Sequence, residues 1–169
     1  MMRIGNSIDF HPFKEGRDLI LGGIKIPYDM GLDGVSDGDA LLHSIAEAIM
    51  GALALGDLGK FFKEDESKGM DSKLILKKTV EMMKEKGFHV VNTDSMVLLE
   101  KPKLAPYIDS MREVVSNLLE IDIKFVSIKA TTMEKRGIIG RGEGCLCETV
   151  ILLEGDQDDR NWLWCIWIN

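Results

Sequence analysis

The stretch Ser36-Asp37-Gly38-Asp39-Ala40-Leu41-Leu42-His43 opens an amphipathic pattern that runs to Leu55. Ser36 resembles a helix N-cap with Asp39 three residues on, as in a capping box, so we predict a helix over residues 36–55. Its apolar stripe is formed by Leu42, Ile45, Ile49 and Leu53. Residues four apart share one helix face, and the helix should therefore present Asp39 and His43 together.

A second cluster, Asp9-Phe10-His11, lies in a strand predicted over residues 3–13. Alternate residues of a strand share a face, so Asp9 and His11 should point the same way. With His43 they offer two imidazoles and one carboxylate, which leaves a fourth tetrahedral position of a zinc ion open for substrate or water. The alternative is that both histidines are structural residues with satisfied hydrogen bonds.

The remaining patterns predict an α+β domain. A Gly-Gly hairpin is predicted over residues 19–27, a loop over 28–35, and helices over 72–86, with Ser72 as cap, and 107–119. Strands are predicted over 89–99, 123–129 and 146–153. Because strands and helices do not alternate strictly, we expect one mixed sheet covered by helices on one face.

Composition narrows the class of protein. The chain of 169 residues fits one domain, and its 45% hydrophobic and 29% charged residues are typical of globular proteins. The formal net charge of −7 argues against nonspecific binding to nucleic acid or to an anionic membrane. The sequence shows neither a signal peptide nor an apolar run of membrane-spanning length, so we expect a cytoplasmic location.

The cysteines and the last residues stand apart from these patterns. Cys145, Cys147 and Cys165 lack a C-x-x-C spacing, and we interpret them as reduced thiols. Cys145 and Cys147 lie two apart in a strand-like run, which favours core or interface positions. We predict a domain over residues 1–154. Residues 155–169 hold all three tryptophans and form either an extra strand docked on the domain or a fragment foreign to the fold.

Four further motifs complete a recognisable order. They are Gly56-Asp57-Leu58-Gly59, Lys101-Pro102-Lys103-Leu104-Ala105-Pro106, Lys129-Ala130-Thr131-Thr132-Met133-Glu134-Lys135 and Gly140-Arg141-Gly142-Glu143-Gly144. Together with the two histidine clusters, they make the chain from Met2 to about Glu154 resemble the 2-C-methyl-D-erythritol 2,4-cyclodiphosphate synthase family. The resemblance implies a homotrimer whose sheets pack around a central axis, with active sites between neighbouring subunits.

The resemblance also implies a reaction and its metals. The substrate, 4-diphosphocytidyl-2-C-methyl-D-erythritol 2-phosphate, would yield 2-C-methyl-D-erythritol 2,4-cyclodiphosphate and CMP, a metal-dependent lyase step of non-mevalonate isoprenoid biosynthesis. By position, Asp9, His11 and His43 would bind zinc, and Glu134 would help to bind magnesium or manganese. Thr132 matches the family's threonine that stabilises the transition state.

The same resemblance implies a set of substrate-binding positions. Asp57 and Gly59 match a loop that binds the diol, and residues 99–105 match the cytidine pocket. Arg141 and Glu143 match residues that line an axial cavity for isoprenoid diphosphates, or else form a buried ion pair that fixes the interface. The full set is Asp9, His11, Val35, Ser36, Asp57, Leu58, Gly59, Phe62, Leu99, Pro102, Lys103, Leu104, Ala105, Thr131, Thr132, Met133, Glu134, Ile138 and Arg141.

The chain departs from the family pattern at Val35, where the family usually has a catalytic histidine that contacts phosphate. Valine donates no hydrogen bond, and loss of a charge-stabilising donor costs about 10²–10³ in rate. Asn6 likewise stands where the family often has a histidine facing the axial cavity. Val35 favours an alternative, a catalytically weakened homologue that binds zinc and a cytidine nucleotide or isoprenoid diphosphate. A third hypothesis is a different zinc-dependent phosphohydrolase that releases inorganic phosphate.

Overall fold

A mixed five-stranded sheet forms the frame of the protein. The computed structural model describes residues 1–63 and 68–155. In this part of the chain the strand order is β4-β1-β7-β5-β6. The strands are β1 (Met2–Glu15), β4 (Met30–Leu32), β5 (Phe88–Leu98), β6 (Val126–Thr131) and β7 (Gly144–Gly155). β5 and β6 pair in parallel and the other neighbours are antiparallel, so the predicted mixed sheet is confirmed.

The helices pack on one face of this sheet, as predicted for an α+β domain. They are α1 (Ala40–Ala52), α2 (Ser72–Glu85) and α3 (Ile108–Leu119), whereas a short helix, α4 (Gly137–Gly140), lies in the chain between β6 and β7. The predicted hairpin forms a separate two-stranded sheet of β2 (Leu19–Leu21) and β3 (Ile24–Ile26). None of the helices in the described ranges is long and apolar enough to cross a membrane.

The two sheet faces differ in exposure because alternate residues of each strand point to opposite sides. On the helix side, Gly5 of β1 packs so closely on α1 that a Cβ there would lie 1.8 Å from the Ala48 carbonyl oxygen. On the opposite side, apolar residues stay exposed in the single chain; these are Met2, Ile4, Ile8, Phe10 and Val150. An apolar sheet face of this kind is typical of a surface that another chain covers.

The start of α1 differs from the prediction. Asp39, not Ser36, is the N-cap, and its carboxylate accepts the Leu42 backbone N–H. The same carboxylate also accepts the N–H groups of Gly22 and Gly23 in the β2–β3 turn. Asp39 is therefore buried as a link between hairpin and helix, and it does not share an open face with His43.

Other boundaries were also shifted by tertiary contacts. The predicted loop 28–35 contains β4, because residues 30–32 pair with the end of β1. Residues 123–125, predicted as strand, form a 3-10 turn before β6, and the glycine-flanked loop around residue 140 begins as α4. The N-cap of α2 is Asp71 rather than Ser72. The Trp-rich segment, apart from Gly155, and residues 64–67 of the polar loop lie outside the described residues.

Cys145 and Cys147 are fully buried on the helix side of β7, which confirms a core position for both. Their sulfur atoms are 4.0 Å apart and both cysteines are free. Burial raises the pKa of the Cys147 thiol, so it stays protonated at neutral pH. In the antiparallel register these cysteines lie opposite His11 and Asp9 of β1.

Candidate active site

Three side chains of the predicted metal site converge in one cleft. Asp9 and His11 project from the helix side of β1, and His43 lies one turn into α1. The Asp9 Oδ2 atom is 3.0 Å from Nε2 of His11 and 3.4 Å from Nδ1 of His43, and the two nitrogens are 3.3 Å apart. Among the described residues, this is the group of potential ligands close enough to share one metal ion.

The spacing of these atoms fits a divalent metal. Tetrahedral ligands at bond lengths of about 2.0–2.2 Å lie about 3.3–3.6 Å from one another, close to the distances observed here. Oδ2 of Asp9 is buried and has no hydrogen bond of good geometry within the described residues, although Nε2 of His11 is near. A bound cation would satisfy the buried Oδ2 atom of Asp9 and would accept the lone pairs of the two nearby ring nitrogens.

The acid–base properties of the cluster reflect its charges. Burial alone would raise the pKa of Asp9, but the imidazoles of His11 and His43 close to its carboxylate lower it from 3.8 to about 2. Burial opposes protonation of His11, yet the Asp9 carboxylate beside it raises the pKa of that imidazole above 6.5. Without metal, Asp9 thus stabilises the protonated form of His11.

Neighbouring groups fix the orientation of both imidazoles. Nδ1 of His11 is hydrogen-bonded to the Asp33 carbonyl oxygen, which leaves the Nε2 lone pair free for a metal. Nε2 of His43 lies 2.8 Å from the Ser72 hydroxyl and 3.0 Å from the Ser36 hydroxyl. The Ser72 hydroxyl donates its proton to the Asp37 carboxylate, and it therefore accepts the N–H at Nε2 of His43. Nδ1 of His43 is then the nitrogen whose lone pair can bind the metal.

A cleft of about 420 Å³ surrounds these ligands. It is lined by Asp9, His11, Val35, Ser36, His43, Glu47, Leu58, Phe62 and Ile75. Val35 is 44% exposed at the rim of this cleft and gives it an apolar wall, where the family resemblance predicts the hydrogen-bond donor of a histidine. Glu47, one turn beyond His43, accepts a hydrogen bond from Ser7. The lining side chains carry carboxylates but no lysine or arginine, so a polyphosphate would need a bound cation here.

A second cleft of about 580 Å³ lies at the far end of β5 and β6. It is lined by Leu99, Glu100, Pro102, Lys103, Leu104, Ala105, Ile108, Ala130, Thr131 and Thr132. Seven of the predicted substrate-binding residues are thus brought together around one cavity. The two clefts share no lining residue, so the single chain does not join the metal ligands to the predicted nucleotide pocket.

The other predicted site residues lie outside both cavity linings. Asp57 caps a 3-10 turn by accepting the Lys60 N–H, and Gly59 lies within that turn. Glu134 is exposed and accepts a hydrogen bond from Thr132 at 2.7 Å. Met133 and Ile138 are exposed. The guanidinium of Arg141 donates to Glu143, and in the single chain this pair is exposed rather than buried.

Sequence reasoning did not predict that four polar groups support the site, and it interpreted one of them, Ser72, only as a helix cap. Asp33, Ser72 and Asp37 orient the imidazoles, and Glu100 holds the backbone beside Thr132. Their partners lie far away in the chain, and Ser72 and His43 are 29 positions apart. The position of Asp37 inside the 36–43 motif was the one local signal, and it pointed to the helix start rather than to His43.

Comparisons with known proteins agree with this geometry. The sequence model of the YgbB family matches residues 2–154. The 2-C-methyl-D-erythritol 2,4-cyclodiphosphate synthase of Chloroherpeton thalassium is 52% identical over 155 residues, covering 90% of this chain and 99% of the relative. The synthase of Brachyspira hyodysenteriae is 53% identical over 155 residues, with 90% and 98% coverage.

A solved structure extends the likeness to the fold. The Plasmodium falciparum IspF–CDP complex superposes with a TM-score of 0.82 at 32% identity, covering 92% of this chain and 97% of that one. Sequence, fold and the Asp-His-His cluster therefore agree, and the chain belongs to the YgbB family of 2-C-methyl-D-erythritol 2,4-cyclodiphosphate synthases.

Proposed function

We propose that this protein converts 4-diphosphocytidyl-2-C-methyl-D-erythritol 2-phosphate to 2-C-methyl-D-erythritol 2,4-cyclodiphosphate and CMP. The observation that carries the proposal is the convergence of Asp9, His11 and His43 in a chain about half identical to enzymes with that name. An oxygen of the 2-phosphate would form a bond to the β-phosphorus. The bond from that phosphorus to the oxygen that bridges to the α-phosphate would break, and CMP would leave with the electron pair.

The metal proposed for the Asp9, His11 and His43 site is zinc, because one carboxylate and two imidazoles leave a fourth position open, as in catalytic zinc sites. Bound there, zinc would supply Lewis-acid stabilisation of phosphate charge. The side chains contribute the fixed geometry: Asp33 and Ser72 hold the two rings, and the buried Asp9 carboxylate supplies the negative charge. The substrate provides its own nucleophile, so no side chain need attack phosphorus.

The second cleft would bind the cytidine end of the substrate. The Plasmodium falciparum relative was solved as a CDP complex, and its fold matches 92% of this chain. Lys103 offers a cationic donor and the Leu99–Ala105 segment offers backbone groups to a base. Thr132 would donate a hydrogen bond to phosphate, and Glu134 beside it would help to hold a magnesium or manganese ion, which would neutralise phosphate charge.

A homotrimer would join the two clefts across a subunit boundary. The single chain keeps them separate, and its outer sheet face exposes apolar residues such as Ile4, Ile8 and Val150. Burying such a face between subunits is favourable at about 25 cal/mol per Å². Sheets arranged around an axis would bring Arg141 and Glu143 towards a central cavity that could accept an isoprenoid diphosphate. A cytoplasmic location is proposed from the free thiols of Cys145 and Cys147.

Val35 supports a second candidate function. Its apolar side chain lines the metal cleft where the family usually has the histidine that contacts phosphate. The protein would then be a weakened homologue that binds zinc and a cytidine nucleotide or isoprenoid diphosphate with little turnover. The two functions share every binding site and differ in rate alone.

Phosphorus NMR of the reaction mixture, with zinc and magnesium present, tests both functions. Equal amounts of CMP and cyclic diphosphate would establish the synthase. Saturable CDP binding without product would establish the weakened homologue. Release of inorganic phosphate instead would contradict both and support a phosphohydrolase. Light scattering on the same sample tests the trimer.

A further inference from the structure

The turn after β6 has a backbone conformation that its residues do not favour. Arg136 N–H donates to the Met133 carbonyl oxygen at 2.8 Å, and the two residues between them, Glu134 and Lys135, have φ of 49° and 60°. Turns with two positive φ values are normally built from asparagine, aspartate or glycine, because a larger side chain costs about 1–2 kcal/mol per residue there. Something outside the turn must therefore stabilise it.

The Glu100 carboxylate supplies that stabilisation. Its Oε1 atom accepts the Met133 N–H at 2.9 Å and the Lys135 N–H at 3.1 Å. These are two donors that the turn itself leaves unpaired, and hydrogen bonds to a charged acceptor are stronger than those between neutral groups. Glu100 reaches them from the end of β5, where the Leu99 N–H bonds the Thr131 carbonyl oxygen. Three hydrogen bonds therefore join the two segments.

This contact joins the two walls of the second cleft, which is proposed to bind the cytidine end of the substrate. Glu100 precedes the Lys101-Pro102 loop on one wall of the cleft. Thr132 lies on the other wall, directly before the turn that Glu100 holds, and Glu134 lies within that turn. We propose that Glu100 is a positioning residue, which fixes the turn so that Thr132 and Glu134 face the phosphates and second metal of a bound nucleotide. The proposal rests on the function proposed above only for the identity of that ligand.

The first test measures the turn itself and needs no ligand. Hydrogen exchange of the intact protein would be followed for peptides covering residues 132–137 in wild type, Glu100→Ala, Glu100→Gln and the control Glu81→Ala on the exposed face of α2. We expect exchange at least about tenfold faster in Glu100→Ala, since both N–H groups lose their acceptor. Glu100→Gln keeps a carbonyl oxygen at that place and should lie near wild type. Equal exchange in Glu100→Ala and wild type would overturn the proposal.

The second test measures what the turn does for ligand binding. CDP affinity would be determined by calorimetry with and without magnesium, and zinc content by elemental analysis. We expect the gain in CDP affinity that magnesium provides to fall at least about fivefold in Glu100→Ala, with zinc content unchanged and Glu100→Gln largely restored. An unchanged magnesium gain would overturn the positioning role. Absence of CDP binding to the wild type would instead contradict the proposed function, and the exchange result would still decide the turn.

Discussion

The Ser72 hydroxyl lies 2.8 Å from Nε2 of His43 and donates its own proton to the Asp37 carboxylate. The first residue of α2 thus orients a metal-binding imidazole on α1 and connects it to a negative charge. Outer hydrogen bonds of this kind set the tautomer and basicity of the ligand, and their loss costs about 10–100-fold in metal affinity.

We therefore expect Ser72→Ala to weaken zinc binding about tenfold or more, as measured by competition with a chromogenic chelator. Ser116→Ala is the matched control, because Ser116 is also a buried helical serine but donates to the Glu113 carbonyl oxygen on α3, which carries none of the proposed ligands. Equal zinc affinity in the two variants would show that Ser72 serves only the start of α2.

The stability of the metal-free protein should depend on pH through Asp9 and His11. The pKa of Asp9 is lowered to about 2, so its contribution is present above 3.8 and is lost as the pH falls towards 2. The pKa of His11 is raised, so its contribution is present below 6.5 and is lost as the pH rises through the raised value. Their attraction is therefore complete between these limits.

Calorimetry of chelator-treated protein tests whether the stabilisation by Asp9 and His11 decreases as the pH rises. Asp9→Asn should lower the Tm more near pH 5.5 than near pH 8.5, whereas the exposed control Asp29→Asn should show no such difference. Added zinc should act in the opposite sense, stabilising wild type more near pH 8.5, because it requires neutral imidazoles. A larger Asp9→Asn effect at the higher pH would contradict the assignment of the ion pair.

The main site could be predicted because its ligands follow local periodicity. Two-residue spacing placed Asp9 and His11 on one face of β1, and the helix-start pattern of residues 36–39 placed His43 near the beginning of α1. The role of Asp39 was predicted wrongly because its carboxylate accepts the N–H groups of Gly22 and Gly23 in the separate hairpin. Long-range contacts of this kind leave no trace in local spacing.

The same limit explains the elements that were missed. β4 is three residues long and exists because Leu32 pairs with Phe13 at the end of β1. Glu100 lies 33 residues from Met133, and no sequence pattern in either segment predicts the hydrogen bond between them. Motif order predicted residues that line the two clefts, such as His43 and Leu99, whereas the network that orients the imidazoles required the packed structure.

The close approach of β1 to α1 makes Gly5 a demanding position. A Cβ at Gly5 would meet the Ala48 carbonyl oxygen at 1.8 Å and the Ala52 nitrogen at 2.8 Å, and both are backbone atoms that cannot rotate away. We expect Gly5→Ala to cost at least about 3 kcal/mol, the upper end of typical overpacking, and to loosen Asp9 four residues on.

Thermal unfolding and zinc content measure these two effects. Gly51→Ala is the matched control on the facing helix. Its added Cβ would lie 3.7 Å from the Asn6 carbonyl oxygen, which is an ordinary van der Waals distance. That change should be neutral or stabilise by about 0.5–1 kcal/mol, as alanine does in a helix interior. Similar Tm values for both variants would mean that β1 and α1 can separate at little cost.

Val35 offers the most direct test of how rate is set in this chain. Its side chain is 44% exposed at the rim of the metal cleft, beside Ser36, so an imidazole fits there without disturbing the core. An added donor would stabilise phosphate charge that grows in the transition state, and such donors contribute about 10²–10³ in rate. Val35→His should therefore raise the rate of CMP release towards that factor while CDP affinity changes little. Val35→Ala, which changes size without adding a donor, should leave the rate within about threefold of wild type. A rate for Val35→His no higher than that of Val35→Ala would mean that other groups already supply this stabilisation, and that valine is compatible with full turnover.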